Sequence, residues 1–273
     1  MKKIGILFLG LISAFSFSQN TRFVYQVSMK TDSTAAPKIE NAYLDISTEK
    51  SIFYGEKRMK RDSTIRLAMQ TRNFNFDRNS MEQFRTAITY SIEKNHATKT
   101  ISYKDRIARD QYWYDEDRTF TWKILPETVK IGEYETQKAE TTFAGRKWFA
   151  WFTQDLPFID GPYKFSGLPG LIVKVEDEKG DYSFDLKETK KIAELPNFES
   201  RFGNNIKVKR SEFLKQQEKF NKDPMSFFQN QGGGFAMRMG GNQNPQNEAE
   251  RRKMMEERLK EEAKANNNPL EKN

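Results

Sequence analysis

The sequence predicts a mainly β protein: a curved antiparallel sheet, half-barrel-like, with one or two flanking helices and a disordered or helical tail. Three observations predict it. From residue 21 to about residue 190, apolar and polar residues alternate with period two. The alternating runs are rich in Thr, Tyr, Phe, Ile, Val and Trp, which suit a pleated, half-buried surface. Short turns such as "AGR" (144–146) and "EKNH" (93–96) join neighbouring runs, as an antiparallel meander requires.

The chain opens on an export signal over 1–18. Lys2 and Lys3 precede an apolar stretch, 4–17, too short to span a bilayer. Ser16 and Ser18 supply the small residues a signal peptidase reads, which places cleavage before Gln19. The expected destination is the periplasm or cell surface. The 273 residues include no cysteine, so disulfides, thiolate metal sites and a cysteine-linked lipid anchor are excluded. After loss of Lys2 and Lys3, 44 basic residues face 38 acidic ones, a net charge of +6.

The first predicted strand, "TRFVYQVSM", sets Phe23, Tyr25 and Val27 on one face, and "AYLDIS" alternates Leu44 and Ile46 with Tyr43 and Asp45. "SIFYGE" follows. Residues 57–85 then read as a long polar loop with a helical turn. The basic cluster "EKRMKRDSTIR" (56–66) within it is solvated, or touches phosphate or anionic headgroups. No base-stacking or groove-reading motif accompanies it, so no nucleic-acid partner is expected. "TAITYSI", "ATKTISY", "RTFTWKIL", "YETQKAETTF" and "KWFAWFT" resume the strands.

The stretch 148–165 is the most aromatic in the chain. Alternation puts Trp148, Ala150 and Phe152 on one face, Phe149 and Trp151 on the other. One row is core; the second meets another layer or lines a groove, which makes Trp148, Trp151, Phe152 and Phe158 the candidate ligand-binding residues. In "GLPGLI", Pro169 and Gly170 are expected at the second and third positions of a type II turn, with Gly167 relieving crowding before it. A hairpin follows, 171–176 with 182–187, pairing the row Leu171, Val173, Val175 with Tyr182, Phe184, Leu186.

Beyond residue 190 the chain changes character. "SEFLKQQEKF" reads as a helix near 211–222, capped by Ser211 and ended by Asp223 and Pro224. One β-rich domain over 19–222 is therefore expected. A Gly/Asn/Gln-rich disordered linker, 223–247, leads to a charged helix and tail, 248–273, with Asn247 as cap. Glu248 with Arg252 and Glu256 with Lys260 are spaced for ion pairs.

Catalytic and metal chemistry find little purchase. The single histidine, His96, sits in a turn and makes neither a triad nor a metal site alone. Asp155, beside Trp151, is the one carboxylate in a setting that could raise its pKa. Met225, Met237, Met239, Met254 and Met255 supply soft thioethers suited to cuprous ion, without fixing three around one centre. No catalytic residue, cofactor or resident metal is expected.

The hexapeptide Gly167-Leu168-Pro169-Gly170-Leu171-Ile172, the block "IGEYETQKAETTFAGRKWFAWFT" from Ile131 and the ending "NNNPLE" (266–271) resemble the GLPGLI family of bacterial exported proteins. Many members carry a cysteine in the strand before the central block; Thr136 stands there, so no thiol role is implied. The resemblance implies an envelope protein, discussed alongside TonB-dependent transporters, with no agreed catalytic residues. The leading expectation is a non-enzymatic binding or accessory module associated with an outer-membrane transporter assembly. The alternatives are a soluble periplasmic carrier of an apolar ligand and copper handling by the methionine-bearing tail.

Overall fold

The structure, a computed structural model, describes residues 20–73, 83–198, 203–230 and 245–272. The expected signal peptide and the "MRM" motif with Met237 and Met239 lie outside the described residues. Two antiparallel runs make one open sheet. The first is β1 (Asn20–Met29), β2 (Lys38–Ile46), β3 (Lys50–Gly55), β4 (Ser91–Asn95), β5 (Ile101–Ile107) and β6 (Asp110–Asp115). The second is β7 (Lys123–Ile131), β8 (Tyr134–Phe143), β9 (Arg146–Thr153), β10 (Leu171–Asp177) and β11 (Tyr182–Ile192). β1 pairs with β11 and fuses the two runs; β12 (Asn205–Lys207) adds to β6 in parallel. The expected antiparallel sheet is therefore mixed at one edge.

The curvature is measurable. In a flat sheet β3 and β11, three strands apart, would lie about 14 Å from each other. The rings of Phe53 and Phe184 on those strands are 6.1 Å apart, so the sheet folds over itself. Its concave side buries Phe23, Tyr25, Val27, Leu44, Phe152 and Phe184, among others. Each such side chain contributes roughly 1.5–3 kcal/mol on burial.

What fills the concavity is not the sheet alone. The connection 154–170 crosses it, with Tyr163, Phe165 and Leu168 buried. Phe165 packs 4.8 Å from the Trp148 ring. Lys94 on β4 donates to the carbonyls of Gly161 (2.6 Å) and Phe165 (3.0 Å). The glycine-rich corner ends this core-filling loop, and its geometry differs from a type II turn. Gly170 N–H donates to Leu168 O at 2.8 Å, a three-residue turn about Pro169, and Gly170 has φ +146°. A Cβ on Gly170 would sit 2.0 Å from Thr153 O, so both conformation and contact demand glycine. Gly167 has φ +92° and open space where a Cβ would stand; its requirement is conformational, not the relief of crowding.

Helices depart most from expectation. Residues expected as a polar loop form α1 (Glu56–Thr71), closed by Arg72 in the left-handed region. The helix escapes pattern reading because its buried positions are Arg58 and Ala68 rather than an apolar stripe. α2 (Arg210–Lys222) begins one residue before Ser211, so Lys209, not Ser211, is its N-cap. Part of the expected linker is α3 (Pro224–Asn230). α4 (Pro245–Lys264) already includes Asn247 in its first turn, which removes that residue as a cap. Glu256 and Lys260 pair at 2.6 Å, whereas the side chains of Glu248 and Arg252 are outside what is described. α4 packs against α2 and α3. The turn expected at 93–96 falls later, since β4 runs through Asn95.

Candidate functional site: a tyrosine ladder above a buried ion cluster

Hairpin register builds the site. β5 and β6 pair Tyr103 opposite Tyr114, and their rings stack at 5.2 Å. Tyr90, just before β4, stacks on the other side of Tyr103, also at 5.2 Å. The three rings form a ladder. Phe213 of α2 meets Tyr103 edge-on at 5.5 Å, and Tyr163 of the 154–170 connection stands edge-on to Tyr90 at 5.7 Å. Between ladder, α2 and residues 266–271 lies a cavity of about 350 Å³, lined also by Asp105 and Gln217.

Below the ladder sits Lys164, its side chain 0% exposed. Its ammonium donates to Glu116 Oε2 (2.5 Å), Glu271 Oε1 (2.5 Å) and the Tyr114 hydroxyl (3.1 Å). Tyr103, Tyr114 and Tyr163 present their rings to the same cation at 5.0–5.4 Å. Arg118 donates to both glutamates, and the Tyr163 hydroxyl to Glu271 at 2.5 Å. Burial pushes the Glu116 carboxyl up, but hydrogen bonds from Arg118 and the Lys164 ammonium outweigh it and bring the pKa down to about 2. Glu271 is also held below its ordinary value; burial opposes this, and Lys164 overcomes it.

Glu271 reaches the cluster on a strap, residues 266–272, laid across the sheet. Asn268 N–H donates to Thr31 O (2.9 Å), its side chain to Lys30 O (2.8 Å), and Lys272 N–H to Ala144 O (2.8 Å). Arg146 on β9 uses all five of its N–H groups, three of them on the strap. Two go to Asp177 (2.7 Å) and Asp181 (3.2 Å), and three to Asn268 Oδ1, Pro269 O and Leu270 O at 2.7–3.0 Å. The Tyr182 hydroxyl donates to Asn268 O at 2.6 Å.

A second buried charge lies deeper. Asp160 accepts from Lys94 and from Gly161 N–H, and His96 Nε2 stands 3.7 Å away. Burial raises the Asp160 carboxyl, yet Lys94 and His96 hold it below its ordinary value. The neighbouring Asp160 carboxylate in turn raises the pKa of His96. His96 therefore stands beside a charge, which its place in a turn did not reveal.

These arrangements differ in what they leave free. The cluster around Lys164 is engaged on every side. Tyr90 and Tyr103, by contrast, line the cavity and make no hydrogen bond through their hydroxyls to described residues. Burial raises both phenols, so each is a neutral donor at the cavity wall.

The residues singled out from sequence lie elsewhere. Trp148 and Phe152 are in the core at 0% and 1% exposure, and Trp148 Nε1 donates to Phe143 O at 3.1 Å. Phe158 meets Phe23 edge-on at 5.3 Å, and Trp151 is half-buried with the Lys174 ammonium 5.1 Å from its ring. None of the four lines the ladder cavity. Asp155 is exposed. Tyr103 and Tyr114 had one available signal: a two-residue turn at 108–109 pairs them by counting outward.

No curated protein matches the chain. Two solved structures of PNGF-II, in different space groups, share its fold. Both have TM-scores of 0.51, at 18% and 17% identity, over 72% of this chain. The chain spans about a third of their length, 33% and 32%. Residues 141–174, which include the Gly167–Ile172 hexapeptide, match a bacterial family described as "Protein of unknown function (Porph_ging)"; over that stretch the chain is similar to an uncharacterised family.

Proposed function

We propose that this is a non-enzymatic, exported envelope protein of the GLPGLI type. It acts as a binding or accessory module for an outer-membrane, TonB-dependent-transporter-type assembly and engages its partner at the tyrosine ladder. One observation carries this reading. The ladder offers two phenol donors with no hydrogen-bond partner among the described residues, Tyr90 and Tyr103, on rings held rigid by stacking and by the cluster below. Preorganised aromatic side chains with unused donors suit a recognition surface, because little side-chain entropy is lost when they bind. The ionisable groups around Lys164 satisfy one another, which suits a support more than a reaction centre. The likeness to PNGF-II supports the fold and carries no activity across.

The test is recovery of partners from native envelopes with the full chain as bait, wild type against the double variant Tyr90→Phe, Tyr103→Phe. That variant keeps the stack and removes only the two hydroxyls. The reading expects a membrane partner with the wild type, its loss with the variant, and equal melting temperatures. Recovery only as a free monomer after gentle solubilisation, or undiminished capture by the variant, contradicts it.

A further inference from the structure

On the other side of β5 from the ladder's chemistry, α1 holds a guanidinium that the fold leaves underused. Arg58 is 5% exposed. Its Nε is 3.8 Å from Asp62 Oδ2, beyond hydrogen-bond distance, and its central carbon lies 4.6 Å from the Phe198 ring. Asp105 attracts it without a hydrogen bond, and Nη1 has no hydrogen-bond partner among the described residues. Burial pushes this guanidinium's pKa down, whereas Arg22, gripped by Asp45 and Tyr54, has its pKa raised. A buried N–H without an acceptor costs about 1–3 kcal/mol, more when charged, so its persistence calls for an explanation.

A cavity of about 460 Å³ opens beside Arg58, between α1 and residues 194–198. Its charged lining is Arg22, Arg58, Arg66 and Arg106 against Asp62 and Glu194; Arg22 is neutralised by Asp45, which leaves a surplus of one positive charge. The rest is largely apolar, with Met59, Met69, Leu195 and Phe198 on its walls. That volume is within the range of small-molecule sites.

We propose that this cavity binds a phosphate-headed amphiphile, its phosphate on the Arg58 guanidinium and its apolar body against Met59, Met69, Leu195 and Phe198. A phosphate monoester, which carries about −1.5 to −2 near neutrality, offers three strong acceptor oxygens to the arginines of the lining, where a carboxylate offers two. Phosphate also accepts strong hydrogen bonds from guanidinium groups, and Arg58, which lines the cavity, carries an N–H that no described residue accepts. This site lies apart from the ladder and stands independently of the function proposed for it.

Calorimetry and melting curves on the full chain test it with three probes: inorganic phosphate, monomeric decyl phosphate, and phosphatidylcholine vesicles with or without phosphatidic acid. Decyl phosphate is expected to bind saturably, one per chain, and inorganic phosphate more weakly. Arg58→Met removes the charge the phosphate meets, and Met69→Glu sets a carboxylate on the cavity wall while leaving Arg58 in place. Each is expected to weaken binding roughly tenfold or more. Melting curves without ligand report whether each variant is folded. Binding of decyl phosphate but not vesicles assigns a soluble ligand; dependence on phosphatidic acid assigns a lipid headgroup. No saturable binding to either, or unchanged affinity in both variants, overturns the proposal.

Discussion

Glu271→Ala is the substitution whose consequence the structure sets most sharply. Glu271 accepts hydrogen bonds from Lys164, Arg118 and Tyr163, and only 16% of its side chain is exposed. With it, two carboxylates face Lys164 and Arg118; without it, Glu116 alone remains against two cations. Breaking a buried pair and leaving one member uncompensated costs about 3–5 kcal/mol. For a domain of this size, each kcal/mol moves the melting temperature by about 2–4 °C, so a fall of roughly 6–20 °C is expected. Calorimetry or a denaturant titration reads it. Adding Lys164→Met removes the stranded ammonium and should recover part of the loss, a coupling that a double-mutant cycle isolates. A melting temperature lowered by less than about 2 °C would refute the idea that the strap completes the cluster.

The corner and the cluster give two further predictions. Gly170→Val places a branched residue at φ +146° with its Cβ 2.0 Å from a backbone carbonyl of β9. It should cost more than the roughly 1–3 kcal/mol of backbone strain alone, whereas Gly167→Ala, with open space around it, should cost no more than that strain. Equal melting temperatures for the two variants would contradict this difference. Glu116, whose pKa drops from 4.5 to about 2 on folding, contributes roughly 3 kcal/mol above its unfolded pKa, lost progressively as pH falls from 4.5 towards 2. Urea midpoints followed down through that window should decline in the wild type more steeply than in Glu116→Gln; parallel slopes would count against it.

Much of the sheet was legible because its signal is apolar and periodic. The rows Phe23, Tyr25, Val27 and Trp148, Ala150, Phe152 face the core as alternation requires. What escaped is polar and buried. α1 hides because an arginine occupies the position where a stripe would show. The strap has one aliphatic side chain, Leu270, and is held instead by Asn268, Glu271 and backbone groups, which no periodicity announces. Lys94 and Lys164 read as surface residues because lysine is seldom buried unpaired. Only the three-dimensional meeting of β4, β6, the 154–170 connection and the strap supplies their partners. The glycine corner bends the chain by a three-residue turn in place of the expected type II turn, and the close approach of Thr153 O to Gly170 comes from β9, outside the hexapeptide.

Amide hydrogen exchange tests the central claim most directly, namely that residues 266–272 are part of the folded body and close the site under the ladder. The amides of Asn268 and Lys272, bonded to Thr31 O and Ala144 O, should be protected together with that of Ile172, bonded to Asp160 O. They should lose protection together in Glu271→Ala. Exchange of Asn268 and Lys272 at free-peptide rates in the wild type, with Ile172 still protected, would contradict the account.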